Sequence, residues 1–291
     1  MIKKIIWYGV IFLLGFPCLE CSATSFDYTS GLIDIPIAEV IPHLDFAMSL
    51  NVSMFEETSD GGVQEEGAKL NFGLYDRIEF GITGLVVGNG PGNEKIVVGN
   101  FSSLILKEKK TVPAFAVGVH NMSSEETCYY RGTLDPGVGK QNFSIFGVGS
   151  KTILKKSELL EVKGHIGVGN HKFAKSGDDI GVFGGINANI CLFKSNHRPA
   201  KHRVEPQFSS LSQDPENEIQ DSSNQLQKNA IIGLMFEYDG RSVNAGLQYI
   251  HNWLGFHFAV ADIYTSNAKN GYLEYIKYNF AISINAPIPQ L

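Results

Sequence analysis

The chain has 291 residues, of which 43% are hydrophobic and only 19% charged, with 31 glycines and a net charge of -6. That charged fraction lies below the roughly 25% usual in soluble domains. The acidic balance and the lack of a basic patch interleaved with aromatics argue against a nucleic-acid binder, and the length suits one large all-β domain.

Residues 1–23 carry the three parts of an export signal: a positive start (MIKK), an apolar run (IIWYGVIFLLGF) and the small-x-small site Cys21-Ser22-Ala23. The run is shorter than the roughly 20 residues that a membrane helix needs. An uncleaved anchor and lipidation at Cys18 or Cys21 are the alternatives, and Pro17 and Glu20 disfavour the second. No later window is apolar enough for a membrane helix. Any membrane reading of the mature chain must therefore be a β-barrel, the other structure that satisfies every backbone group in lipid. Residues 24–42 are expected to form a periplasmic lead-in, broken by Pro36, that caps the mouth of the barrel or folds into its lumen.

From residue 43 the chain alternates. Phe46, Met48, Leu50 and Val52 fall on one side of a strand, with Ala47, Ser49, Asn51 and Ser53 on the other. The same period predicts about twelve strands: 43–55, 63–75, 78–89, 95–108, 112–122, 142–154, 159–172, 179–193, 230–239, 242–252, 255–265 and 273–285. An even total between ten and fourteen is expected. One face is aliphatic and aromatic throughout, while the other carries Gly, Ala, Ser, Asn and some charges. That is the apolar-out, polar-in pattern of an outer-membrane barrel.

The expected fold is all-β, an antiparallel transmembrane β-barrel formed by residues 43–291 in the bacterial outer membrane. A soluble β-sandwich or lipocalin-like barrel would turn the apolar face inward. The apolar faces hold more large side chains than a small lumen encloses, and the counter-face has too much Gly and Ala for a soluble surface. Short turns at 75–77, 154–158 and 238–242 alternate with longer links. Residues 195–229 form a polar, aromatic-poor insert. Counted from a periplasmic start, twelve strands put this insert on the periplasmic side, where barrel turns are usually short.

Two stretches carry a family resemblance. Gly31, Leu32, Ile33, Pro36, Ile37, Ala38 and Val40 follow an opening close to Gly-Leu-Ile-x-x-Pro-Thr-Ala-x-Val, with Ile37 in place of Thr, and KLNFGLYDRIEFGITG comes after it. Phe236–Tyr249 adds an acidic strand end and an Asp-Gly turn before an Asn-x-Gly strand. The chain resembles YjbH-like proteins and related outer-membrane barrels of Gram-negative bacteria over its opening third and this later segment. The resemblance implies a barrel associated with exopolysaccharide production or export, although the chain is far shorter than full-length members. Its implied partners are outer-membrane lipid, the barrel assembly machinery, and polysaccharide or small solutes.

Motifs for chemistry are sparse. His43, His120, His165, His171, His251 and His257 are scattered over different strands without metal-ligand spacing, and no CxxC occurs after residue 23. His197 and His202 sit with Arg198, Lys201 and Arg203 in the insert. Gly88–Lys95 and Gly137–Lys140 do not complete a phosphate loop, since Gln141 follows Lys140. Cys128 and Cys191 could pair in an oxidising compartment. Outer-membrane phospholipases place serine-histidine groups at a barrel wall, but no GxSxG setting selects one serine here.

No enzyme, cofactor or metal is therefore expected. The inward face is expected to present Glu79, Glu161, Lys163, His165, Asn187, Asn189, Glu237 and Gln248 to the lumen. With both signs of charge, this reads as a passive channel or an accessory of envelope polysaccharide handling. A structural or adhesive surface protein and a ligand-binding soluble β-domain are the alternatives.

Overall fold

The structure, a computed structural model, describes residues 29–55, 64–87, 94–122, 143–156, 159–174, 179–193, 230–265 and 276–287. Twelve strands occupy most of them: β1 (Asp45–Phe55), β2 (Gln64–Leu74), β3 (Ile78–Val87), β4 (Glu94–Leu106), β5 (Ala114–His120) and β6 (Ser144–Lys156), then β7 (Leu160–Asn170), β8 (Ile180–Phe193), β9 (Ala230–Tyr238), β10 (Ser242–His251), β11 (Leu254–Thr265) and β12 (Lys277–Pro287). Each pairs antiparallel with its sequence neighbours, and β12 returns to β1, so the sheet is a closed barrel. The strands fall where the alternation placed them, to within a few residues. One difference is β6, which runs on to Lys156 through the expected 154–158 turn, with a register shift between Thr152 and Leu154.

Register carries the alternation around the barrel. Met48 stands opposite Ile284 and Leu70, and Ser49 opposite Ser283 and Lys69. Outward positions are exposed and apolar, among them Leu50 (60%), Ile166 (68%) and Ile180 (69%), whereas Ser49, Asn51 and Ser53 are buried. A slip of one residue would send every polar side chain to the outside.

The end of the barrel where β1 begins and β12 finishes is called the base here. The turns at 75–77 and 252–253 and the 107–113 connection lie at the base, and the 239–241 turn lies at the far end. β8 ends and β9 begins at the base, so the 195–229 insert, which lies outside the described residues, joins the barrel there. Twelve strands therefore put the junctions of this insert at the same end of the barrel as the short turns at 75–77 and 252–253.

Eight strands suffice for a lumen that wall side chains can fill; twelve enclose more space. The chain itself takes up the surplus. The described part of the lead-in, residues 29–42, takes the second of its two expected courses and lies inside the barrel. Leu32, Ile33, Ile35, Ile37 and Ala38 are buried in one apolar core with Leu104, Ala114, Ala116, Phe146, Val148, Phe183 and Met235 of the inner wall. Pro36 shapes the fold of the segment. Gly31 and Pro36 form an isolated bridge, Leu32 N–H donates to the Ile35 carbonyl at 3.1 Å, and Ile37 N–H donates to that of Ser30 at 3.3 Å.

At the far end a single 3₁₀ turn, His171–Phe173, folds Phe173 inward. Its ring centroid lies 4.5 Å from that of Phe183, 5.6 Å from His120 and 6.0 Å from Phe146. Gly240, at φ 97, and Gly181 lie directly against the Phe173 carbonyl, where neither has room for a Cβ.

Candidate functional site

A segment inside a barrel has no strand ladder to pair with, so its backbone N–H groups need other acceptors. Two carboxylates take four of these N–H groups. Glu79, on β3, accepts from Ser30 N–H at 2.9 Å, Ser30 Oγ at 2.7 Å, Ile41 N–H at 3.3 Å and Asn71 Nδ2 at 2.8 Å. Glu237, on β9, accepts from Ile33 N–H at 2.9 Å, Asp34 N–H at 2.7 Å and Asn244 Nδ2 at 2.8 Å. A carboxylate offers about four acceptor sites, which is why one residue can hold several donors. Glu79 and Glu237, two of the residues expected to line a polar lumen, point inward, where they are buried and hydrogen-bonded to the inserted segment.

The other six expected residues, Glu161, Lys163, His165, Asn187, Asn189 and Gln248, border a cavity of about 830 Å³. It reaches the base, where Asp76 and Lys107 flank it, and Leu32, Ile37 and Ala38 of the segment form part of its wall. We call it the vestibule. Lys163 Nζ pairs with Glu39 of the segment at 2.6 Å and with Glu161 at 3.5 Å, and Lys155 pairs with Glu161 at 3.5 Å. The two signs thus compensate each other within the cavity. Gln248 Nε2 donates to Asn189 Oδ1 at 3.2 Å, and Gln248 Oε1, though buried, has no partner among the described residues.

Among the wall residues outside the expected set, Ser150 joins a hydrogen-bonded chain. Ser150, on β6, stands opposite His165 on β7. Ser150 Oγ lies 2.8 Å from His165 Nδ1, and His165 Nε2 lies 2.9 Å from Asn187 Oδ1 on β8. Ala38 N–H of the segment donates to Ser150 Oγ at 2.8 Å. The protonation that satisfies the whole chain is Ser150 O–H donating to Nδ1 and Nε2–H donating to Asn187. The sequence around Ser150 (FGVGSKT) holds no nucleophile motif. Only its inward parity and its register opposite a histidine mark it out, and register is not local information.

The remaining histidines serve separate surroundings: His257 Nε2 meets Ser283 Oγ at 2.8 Å, and His43 stacks on Tyr75 at 5.2 Å. No group of three potential metal ligands converges among the described residues. Cys128, His197, His202 and the glycine loops at 88–93 and 137–140 lie outside them.

No family model matches the chain, and no curated protein does. Among solved structures it is similar to Ail, the attachment invasion locus protein of Yersinia pestis, at 8% identity over 84% of this chain and 98% of that one, with a TM-score of 0.20. A likeness at that level carries no functional argument.

Proposed function

We propose that this protein is an outer-membrane barrel that is closed at rest by its own residues 29–42 and opens when they leave the lumen. It would act as a gated passage of the envelope and not as a passive channel. The apolar outer face supports the membrane setting, since a soluble barrel would not leave so continuous a belt of large aliphatic side chains exposed. The resemblance to YjbH-like proteins supplies the traffic to try first, envelope polysaccharide, with small solutes second.

The observation that carries the gate is the pair of carboxylate clamps. Glu79 and Glu237 hold the segment by its backbone from opposite arcs of the wall, and no described residue of the segment enters the sheet. Leaving a buried N–H without its acceptor costs about 1–3 kcal/mol, so losing both clamps shifts the segment outward. The vestibule already opens part of the lumen from the base, and the segment forms part of its wall.

Planar-bilayer recording tests this. The wild-type protein is expected to show no steady conductance, and Glu79→Ala/Glu237→Ala is expected to show discrete openings, with heat-modifiable gel mobility showing that the variant still folds. Steady conduction by the wild type would remove the gate. A folded double variant that stays silent would favour a permanently filled anchor, the structural reading.

A further inference from the structure

We propose that Ser150, His165 and Asn187 form a serine-nucleophile site that cleaves carboxylic esters admitted through the vestibule. This goes beyond the gated passage and does not depend on it.

The geometry is that of an activated hydroxyl. A serine is a weak nucleophile until a neighbouring base takes its proton, and the base works best when a third group fixes its ring and tautomer. Here Ser150 O–H reaches His165 Nδ1 at 2.8 Å, and Nε2–H is held by Asn187 Oδ1 at 2.9 Å. The serine meets Nδ1 and the orienting group meets Nε2. Either imidazole nitrogen can serve as base when the other carries the proton. The three residues stand on consecutive strands of a closed sheet, which fixes their spacing more firmly than a loop would.

Access and surroundings fit a substrate. All three residues border the cavity that reaches the base. Ala38 N–H, now 2.8 Å from Ser150 Oγ, lies where it can turn to the oxyanion that forms on the acyl carbon bonded to that oxygen. Ile37 and Leu104 provide an apolar wall for a short acyl chain. Gln248 Oε1, buried and without a partner among the described residues, is available to a hydroxyl on the alcohol portion.

In the reaction, Ser150 Oγ bonds to the acyl carbon as its proton passes to His165 Nδ1. The ester C–O bond then breaks, and the leaving oxygen takes that proton and departs as the alcohol. Water, deprotonated by the same Nδ1, attacks the acyl-enzyme. The Oγ–C bond breaks, Ser150 regains its proton, and the acid leaves. Ester and water become acid and alcohol. Ser150 and His165 are the catalytic residues, and Asn187 is a positioning residue.

The experiment treats the folded full chain in detergent with a fluorophosphonate, locates the adduct by peptide mass spectrometry, and follows hydrolysis of p-nitrophenyl butyrate. An adduct on Ser150 is expected in the folded protein and not after heat unfolding. Ser150→Ala is expected to bring hydrolysis down to the buffer rate, and His165→Gln to slow labelling by about 10²–10⁴-fold. Asn187→Asp, which favours the imidazolium, is expected to move the rising limb of the pH–rate profile to higher pH, a change that a purely structural role would not produce. A folded wild-type protein that acquires no adduct on Ser150 overturns the proposal, as does Ser150→Ala hydrolysing at the wild-type rate. The three residues would then serve only to seat Ala38. Wild-type labelling decides by itself, so a variant that fails to fold does not leave the question open.

Discussion

Met48 and Ser49 are adjacent in sequence, yet Met48 is exposed on the outer face and Ser49 is buried within the wall. Alternation alone would put Ser49 in a wet lumen, open to reagents. Inside the barrel Ser49 is buried between Lys69 and Ser283 of the neighbouring strands instead. Single cysteines at Met48, Ser49 and Asn189, in a Cys128→Ser, Cys191→Ser background in liposomes, are therefore expected to react unequally with a membrane-impermeant maleimide. Asn189→Cys labels from the vestibule, while Met48→Cys in lipid and Ser49→Cys in the packed interior do not. Rapid labelling at Ser49 would mean that water fills the lumen. At this scale the sequence showed which side chains turn inward but not what they meet. Glu79 and Glu237 read as inward charges, and nothing local told that backbone N–H groups from residues 49 and 204 positions away would occupy them. Ser150 went unnoticed for the same reason, since its partner is defined by strand register.

Elements were the most legible level, because period-two alternation is a local signal and each strand repeats it. What the pattern lacked was the content of the connections. The 107–113 connection, between β4 and β5, is held by Glu108, whose carboxylate accepts from Thr152 N–H and Thr152 Oγ1, both at 3.0 Å, and pairs with Lys151 Nζ at 3.0 Å. Partial burial pushes the Glu108 carboxyl up, but the Thr152 and Lys151 hydrogen bonds and the Lys151 charge outweigh it, holding it below the ordinary 4.5. Its folded value thus lies below its unfolded one. The contribution to stability is complete above about pH 4.5 and is lost as the pH falls through the folded value. An acid titration of unfolding is expected to show this loss in the wild type and not in Glu108→Gln. For so exposed a pair the effect is about 0.2–1 kcal/mol. At the far end, Gly240→Val is expected to push the Phe173 turn outward, because the position combines a positive φ with contact against the Phe173 carbonyl. Near-ultraviolet circular dichroism of the aromatic cluster would report it, and an unchanged spectrum would show that the turn yields without moving Phe173.

For the whole molecule, the even strand count brings the start of β1 and the end of β12 together at the base. In the proposed outer-membrane setting, with the base taken as periplasmic, a tag inserted at residue 210 is expected to be reached by antibody only after the outer membrane is permeabilised, and a tag at residue 130 in intact cells. The reverse pattern would overturn the orientation. The same frame gives the inserted segment a topological meaning. Ser30 and Ile41 both end at Glu79, beside the base, while Ile33 and Asp34 reach Glu237 near the far end. Residues 30–41 therefore form a bight: both ends of this stretch come back to the same place on the wall. A bight can be laid into a ring, or lifted out of it, without cutting the ring or drawing a rope's end through. The order of biogenesis is freed accordingly. β12 can zip to β1 before the bight is seated, and the molecule need never untie itself to let it go.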